Sequence, residues 1–419
     1  MKRVDLIIVG AGMRGMGYIQ FAKHFPERCR IVGVAEPREW YRNKVVNDFN
    51  VPKENVFKCW TELAATGKKL ADAVLICTQD EMHVEPAEAF AKLKYDILLE
   101  KPMAPTPEGC RRIAKAAIEN DVILSVCHVL RYTTYTKELK KVLNSGRIGE
   151  IVSIQHHEPV GYWHQAHSFV RGNWRNEKES SFMLLAKACH DMDWIRYIAD
   201  KPVEKVSSFG GLRHFKRSEQ PEGAADRCLE CPTAIEATCP YSAKKIYYRF
   251  LNNGNSAWPV DVLTPDVTPT SLEEALKEGP YGRCVYACDN DVVDNQVVNM
   301  QFKDGGTASF LMTAFTEAGQ RKTSIFGTKG EIYGDSKNIK IYNFLTEKTE
   351  VIDTSLVDKS VLAGHGGGDG GMMDNFVEAV STGDKDVILS GPNVSLETHL
   401  LSFQGEKARK EGTIETIEI

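Results

Sequence analysis

The sequence predicts an α/β protein: a doubly wound parallel-sheet domain followed by an α+β domain with a mostly antiparallel sheet. Three observations point there. Short apolar runs alternate with helical patterns over the first 130 residues. A glycine cluster, Gly10, Gly12 and Gly15, joins the first run to the first helix. Beyond Gly149 the pattern changes to alternating β-formers separated by turn residues.

The runs in the first part are 4–9, 31–35, 72–77, 96–100 and 121–127, rich in Val, Ile and Leu as parallel strands covered on both faces should be. Helices are expected between them near 13–25, 38–49, 60–66, 83–93 and 106–119, with another at 133–145 closed by Gly146 and Gly149. In the second part, strands are expected at 150–158, 204–212, 293–303, 306–314, 322–327 and 338–343, and helices at 182–198, 371–382 and 393–410. Residues 213–291 are polar and weakly periodic, with seven prolines and five cysteines, and read as an insertion. The division is therefore 1–130 for a dinucleotide domain and 131–419 for a substrate and oligomerisation domain carrying that insertion.

With 419 residues, 52 Lys and Arg against 57 Asp and Glu, and a net charge of −5, the chain lacks an overall basic footprint for nucleic acid. No apolar run approaches the roughly 20 residues that span a bilayer, and the N-terminus has no signal-peptide cleavage pattern. A cytoplasmic protein with reduced thiols is the expectation, with neither nucleic acid nor membrane as partner.

Gly10, Gly12 and Gly15 form G-x-G-x-x-G between a strand and a helix. These glycines allow a tight turn, close approach of a pyrophosphate, and helix–strand packing; Met13 and Arg14 belong to the same loop. Glu36 at the end of the second strand suits the ribose hydroxyls of NAD. Arg38, two residues on, would suit the 2′-phosphate of NADP, so NAD is favoured and NADP less so. Glu100-Lys101-Pro102 closes another strand, and an open parallel sheet binds ligands beyond that edge. Lys101 is thereby placed for proton transfer or for polarising a carbonyl beside a nicotinamide.

These segments, with "ICTQDEMH" at 76–83 and "LLAKACHDMDW" at 184–194, resemble the Gfo/Idh/MocA oxidoreductases, the family of glucose–fructose oxidoreductase and inositol dehydrogenase. The resemblance implies an N-terminal Rossmann domain and a C-terminal domain whose large open sheet often mediates dimers or tetramers. It also implies that Thr78 and His83 flank the cofactor, that Glu100 and Lys101 touch the nicotinamide side, and that His190 is the second catalytic residue. Many family members carry Asp four residues before this His. Here the position is Ala186, followed by Lys187, which becomes a candidate for the missing carboxylate's role.

Lys187, His190, Asp191 and Trp194 are expected on one helical face, where a Lys187–Asp191 ion pair is the bland alternative to catalysis. The stretch 156–175 is dense in His, Trp, Tyr and Arg and reads as a loop over the nicotinamide. Its Tyr162, Trp163, His164, His167, Arg171, Asn173, Trp174 and Arg175 are candidates to stack on and hydrogen-bond a carbohydrate. Asp191 and His365, the latter in "GHGGGDGG" at 364–371, complete the substrate candidates. Cys228, Cys231, Cys239 and Cys284 have spacing that suits a structural zinc stiffening an insertion too polar for its own core; packed thiols are the alternative.

The expected function is NAD-dependent hydride transfer to or from a secondary hydroxyl of a sugar, cyclitol or glycoside, with Lys101 and His190 handling the hydroxyl proton. One alternative is glycoside cleavage by oxidation, elimination, hydration and reduction without net NAD turnover. Another, of a different class, is a non-catalytic NAD-binding regulator.

Overall fold

Six strands rich in Val, Ile and Leu form a parallel sheet: β1 (Val4–Val9), β2 (Cys29–Ala35), β3 (Val56–Phe57), β4 (Ala73–Ile76), β5 (Asp96–Leu99) and β6 (Leu124–Val126). The computed structural model describes residues 2–356, 362 and 364–418. Strand order is β3-β2-β1-β4-β5-β6, so the direction of winding reverses between β1 and β4. A crevice opens beyond the carboxyl ends of strands at such a switch point, and it is there that α/β sheets bind ligands. Hydrophobic cores fill both faces, Leu6, Ile8 and Leu75 on one and Ile7, Val74 and Ile97 on the other.

The second sheet has nine strands, with β7 (Ile151–Pro159), β8 (Val203–Gly211), β9 (Asn295–Phe302), β10 (Thr307–Thr313), β11 (Lys322–Gly327), β12 (Gly330–Gly334), β13 (Asn338–Asn343), β14 (Lys348–Asp353) and β15 (Ile414–Thr416). Its order is β14-β13-β12-β11-β7-β10-β9-β8-β15, antiparallel except where β7 runs parallel to β10. The strands β3, β12, β14 and β15 were not expected. β14 alternates no apolar face and lies at an exposed edge, while β3 and β15 are only 2 and 3 residues long.

Two late helices tie the sheets together. Met372, Met373, Phe376 and Val377 of the helix Gly368–Thr382 enter the core of the parallel sheet. The helix Pro392–Glu411 packs on β8, on the helix Cys189–Ala199 and on the helix Pro107–Glu119. The glycine-rich 364–371 stretch is thereby carried back onto the first domain.

The insertion departs from the sequence expectation. It contains the helices Thr233–Thr238, Ala243–Asn252 and Pro269–Glu278 and has its own core, built on Phe215, Tyr241, Tyr247, Leu272 and Tyr281. Its helices do carry apolar residues at helical spacing, Ala243, Ile246 and Tyr247 in one and Leu272 and Leu276 in another, but these short runs are diluted by the polar residues around them.

Candidate active site

At the first βα turn, Gly10 has φ +90°, and a Cβ there would lie 2.6 Å from the Cys77 carbonyl oxygen; at Gly15 it would lie 2.3 Å from the Gly10 carbonyl oxygen. Neither position admits a side chain. A Cβ on Gly12 meets only the Arg38 guanidinium, at 3.7 Å, so that face of the turn is open. Gly12 caps the helix Met13–His24 with no side-chain acceptor, leaving first-turn N–H groups for an anionic ligand. Met13 stands half exposed beside them.

Glu36 follows β2 and is buried; it accepts hydrogen bonds from the Ala11 and Arg38 amides at 2.7 and 2.9 Å. Arg38 adds Nε and Nη2 bonds at 2.8 and 3.0 Å. Burial pushes the Glu36 carboxyl up, but the hydrogen bonds from Arg38 and Ala11 outweigh it and hold the group below its ordinary range. An open glycine turn, an uncapped helix end and an ionised carboxylate 25 residues from Ala11 fit a dinucleotide. Thr78 follows β4 and bonds the Met82 carbonyl at 2.7 Å. His83 is fully buried, its ring nitrogens 2.8 and 3.2 Å from the Pro102 and Thr78 carbonyl oxygens, so it braces the two turns and does not reach a ligand.

Lys101 follows β5 and donates from Nζ to the Ala186 carbonyl at 2.7 Å, reaching across to the second domain. Glu100 accepts from the Lys101 amide at 2.8 Å, from Tyr18 Oη at 2.6 Å and from Arg14 Nε at 2.8 Å. Burial raises the Glu100 carboxyl, but Arg14, Lys101 and Tyr18 outweigh it and keep the group ionised. His190 lies in the same cleft, with 4% of its surface exposed and no partner for Nδ1. Burial, then the charge of Lys101, hold its imidazole well below the ordinary range, so it is neutral at neutral pH.

The expected continuous helix over 182–198 is broken. One turn, Met183–Ala186, ends at Lys187, and the next helix begins at Cys189. Lys187 does not pair with Asp191: its ammonium lies 3.2 Å from Glu158 of β7. Arg321 occupies Asp191 at 2.6 and 3.1 Å and also reaches Glu158 at 2.9 Å, while His156 bonds Asp191 at 2.9 Å. Two buried carboxylates thus share two cations, and Lys187 reaches the second from the break in the backbone. Asp191 is fully buried inside this network and does not face a substrate. Arg321 and Glu158 carried no sequence signal; pairing of β11 with β7, Thr323 opposite His156, brings them here.

The stretch 156–175 is not a loop. β7 continues to Pro159, and a short helical turn Tyr162–His164 leads into a wide π-helical turn Gln165–Arg171 that is buried throughout. His167 bonds Tyr247 Oη at 2.8 Å and stacks on Tyr281 at 4.9 Å. Arg171 donates to the carbonyls of Arg283 and Tyr241 at 2.7 and 2.8 Å, and Arg175 grips Asp289 with two bonds of 3.0 Å. These three hold the insertion to the domain. Trp174 rests on Phe169 at 6.4 Å, and Asn173 is exposed. Tyr162 accepts from Arg249, and Trp163 packs between His164, Phe250 and Trp258. His164 is the member nearest the lysines: burial, then Lys187, His167, Arg321 and Lys101, hold it well below its ordinary range.

The zinc expectation is not supported. Cys228, Cys231, Cys239 and Cys284 border one small cavity, but among the described residues no three His, Cys, Asp or Glu side chains form a metal-holding group. Burial pushes the Cys239 and Cys284 thiols up, and the insertion packs them into or against its own core.

Behind His190 lies a polar cluster that the sequence did not announce. Arg131 grips Asp193 at 2.6 and 2.7 Å, Thr398 donates to Asp193 at 3.1 Å, and His128 Nε2 lies 3.6 Å from it. His399 accepts the Met103 amide at 2.9 Å, fixing the turn after Lys101 from the 392–411 helix. Burial pushes His128 and His167 down to about 3 and His399 to about 4. The unfolded chain binds protons on these imidazoles near 6.5, so below that pH it holds more protons than the folded protein. Stability is therefore expected to fall as pH drops from 7 to 5.5, by about 1 kcal/mol per histidine. Thermal melts across that range check this; an unchanged melting temperature contradicts it.

Comparison with known proteins agrees with this fold. The family model described as "Oxidoreductase family, NAD-binding Rossmann fold" matches residues 4–128, and its companion, "Oxidoreductase family, C-terminal alpha/beta domain", matches 140–394. The chain belongs to the Gfo/Idh/MocA oxidoreductase family. This Gfo/Idh/MocA chain is 23% identical to the oxidoreductase YteT of Bacillus subtilis over 397 residues, 88% of each protein. It is 27% identical to 2,7-anhydro-N-acetylneuraminate hydratase of Escherichia coli over 205 residues, 49% of this chain and 52% of that protein. Levoglucosan dehydrogenase in complex with NADH superposes with a TM-score of 0.73 at 16% identity, covering both chains fully, and shares the fold. The protein is an NAD-binding oxidoreductase of the Gfo/Idh/MocA type.

Proposed function

We propose that this protein transfers a hydride between NAD and a secondary hydroxyl of a sugar, cyclitol or glycoside. Residues 1–130 hold the dinucleotide on the Gly10–Gly15 turn and Glu36, with NADP disfavoured because Arg38 is already engaged by Glu36. Residues 131–419 close the substrate side. One observation carries the reading: Lys101, at the carboxyl edge of the parallel sheet, reaches the segment that bears His190, and His365 stands 5.8 Å from His190 between ring centroids.

NAD, when bound, supplies the hydride acceptor. The chain's own groups do the rest. The Lys101 ammonium stabilises charge on the substrate oxygen, and the neutral His190 orients the hydroxyl. Lys187 keeps Glu158 neutralised beside them. Tyr162, Trp163 and His164 supply aromatic and polar surface for a polyhydroxylated ligand. The reading accords with the substrates named for levoglucosan dehydrogenase and the anhydroneuraminate hydratase.

A second reading, glycoside cleavage through a transient oxidation, is favoured by the adjacent imidazoles of His190 and His365 and by the hydratase among the relatives. Incubation with NAD and a panel of inositols, sugars and chromogenic glycosides separates the readings. NADH formation establishes the dehydrogenase, aglycone release without NADH the cycling glycosidase, and neither, with NAD bound, a regulator.

The protein acts in the cytoplasm as a dimer or tetramer in this reading. Support comes from the outer face of the nine-stranded sheet, where Leu311, Tyr333 and Val351 stand exposed along an open groove of about 700 Å³. Among the described residues no helix is long and apolar enough to cross a membrane.

A further inference from the structure

Burial holds the imidazoles of both His190 and His365 below their ordinary range, but only His365 has a carboxylate partner that pulls the other way. His190 has no carboxylate partner, and its Nδ1 is buried and unbonded. A proton placed there meets the Lys101 charge and a fully buried surrounding. His365 differs. Its Nδ1 lies 3.0 Å from Asp369 Oδ1, an arrangement that fixes the tautomer, leaves Nε2 as an acceptor and stabilises the imidazolium once formed. About a third of its side chain, 35%, is exposed, so a proton taken up there can leave to solvent.

The backbone adds an independent sign. His365 has φ +50°, in the left-handed region that favours glycine, and it sits among Gly364, Gly366 and Gly367. A glycine would hold that conformation with less strain, and non-glycine residues kept in it cluster at functional sites. The loop also packs tightly on the dyad: a Cβ on Gly364 would lie 1.9 Å from Asp369 Oδ2. Asp369 in turn receives two bonds from Arg14, at 3.0 and 2.9 Å, and Arg14 Nε holds Glu100 beside Lys101. One arginine of the cofactor turn therefore aligns both walls of the cleft.

We propose that His365, aligned by Asp369, is the terminal proton acceptor of the hydride-transfer reaction, and that Arg14 sets this alignment from the dinucleotide turn. The inference rests on the hydride reading above. As the carbinol C–H electron pair leaves with the hydride to NAD, the O–H bond breaks; its proton passes directly or through His190 to His365 Nε2, and the C=O bond forms. In the reverse direction His365 returns the proton. The groups facing His365 are Asp369 from its own segment, His190 from the 189–199 helix, Arg14 from the 13–24 helix and Arg321 from just before β11.

The test is single-turnover reduction of bound NAD by the most active polyol of the panel, followed across pH 5–9 in the wild type, His365→Gly, His365→Asn and Asp369→Asn, with NAD affinity measured by fluorescence. The expected result is a rate that rises with pH on the acid side in the wild type. Both His365 variants should then lose this limb and about 10²–10³ of the rate while NAD affinity stays within threefold. Added imidazole is expected to restore part of the rate to His365→Gly alone, since glycine suits the backbone and leaves an accessible hole. Asp369→Asn should shift the acid limb and slow the reaction less. A His365→Asn rate within threefold of wild type with the limb retained, or a loss in His365→Gly that imidazole does not rescue, overturns the assignment while leaving the hydride reading intact. A wild type that binds NAD yet reduces it with no polyol overturns the hydride reading and this assignment together.

Discussion

Lys101→Met is expected to slow turnover about 10²–10⁴-fold, the range typical of removing a positioned proton-transfer or charge-stabilising group, while NAD affinity changes little. Met keeps the length of the side chain and its packing but removes the ammonium that now donates to the Ala186 carbonyl. The turn itself should persist, because the Lys101 amide is held by Glu100 and the Met103 amide by His399. Steady-state kcat and fluorescence-detected NAD binding, measured on the same preparation, separate the two effects. A variant with wild-type turnover places the chemistry elsewhere; one that loses NAD affinity in parallel reduces Lys101 to a structural role.

The second large effect is on stability. Asp193→Ala leaves Arg131, 3% exposed, buried without its carboxylate, and strips Thr398 of its acceptor and His128 of its neighbouring negative charge. Breaking a buried pair in this way costs about 3–5 kcal/mol, most of it the uncompensated charge. Chemical denaturation should show a clear fall in midpoint. Replacing both partners by apolar residues, Arg131→Met with Asp193→Leu, removes the orphaned charge and is expected to recover most of that loss. A single variant as stable as wild type contradicts the account of this cluster.

These residues also show what a sequence exposes and what it hides. The Gly10–Gly15 turn was legible because its requirements are local: strand, tight turn and helix start lie within a dozen residues, and only glycine fits at positions 10 and 15. Lys101 was legible for the same reason, as a strand end in an alternating pattern. Arg321, Glu158 and Asp193 were not, since their partners are Asp191, Lys187 and Arg131, joined by strand register and helix packing across tens to more than a hundred positions. The break at Lys187 was hidden in another way. "LLAKA" is made of good helix formers, yet the helix ends at Ala186, where the Lys187 ammonium turns to Glu158. The insertion misled for a third reason: its polar average composition concealed a small core, and Cys228, Cys239 and Cys284, which suggested a metal, pack within and around it.

Movement of a hydride between a carbinol carbon and bound NAD is the chemistry proposed for this cleft. Rapid-scan absorbance of the NAD-loaded protein mixed with the panel of inositols, sugars and glycosides tests it most directly, because even a cycle with no net NADH passes through reduced nicotinamide. Reduction of the bound cofactor, lasting or transient, is expected with at least one of them, and none in Lys101→Met. A cofactor that stays oxidised in the wild type with every compound, at concentrations where NAD is shown to be bound, would contradict it.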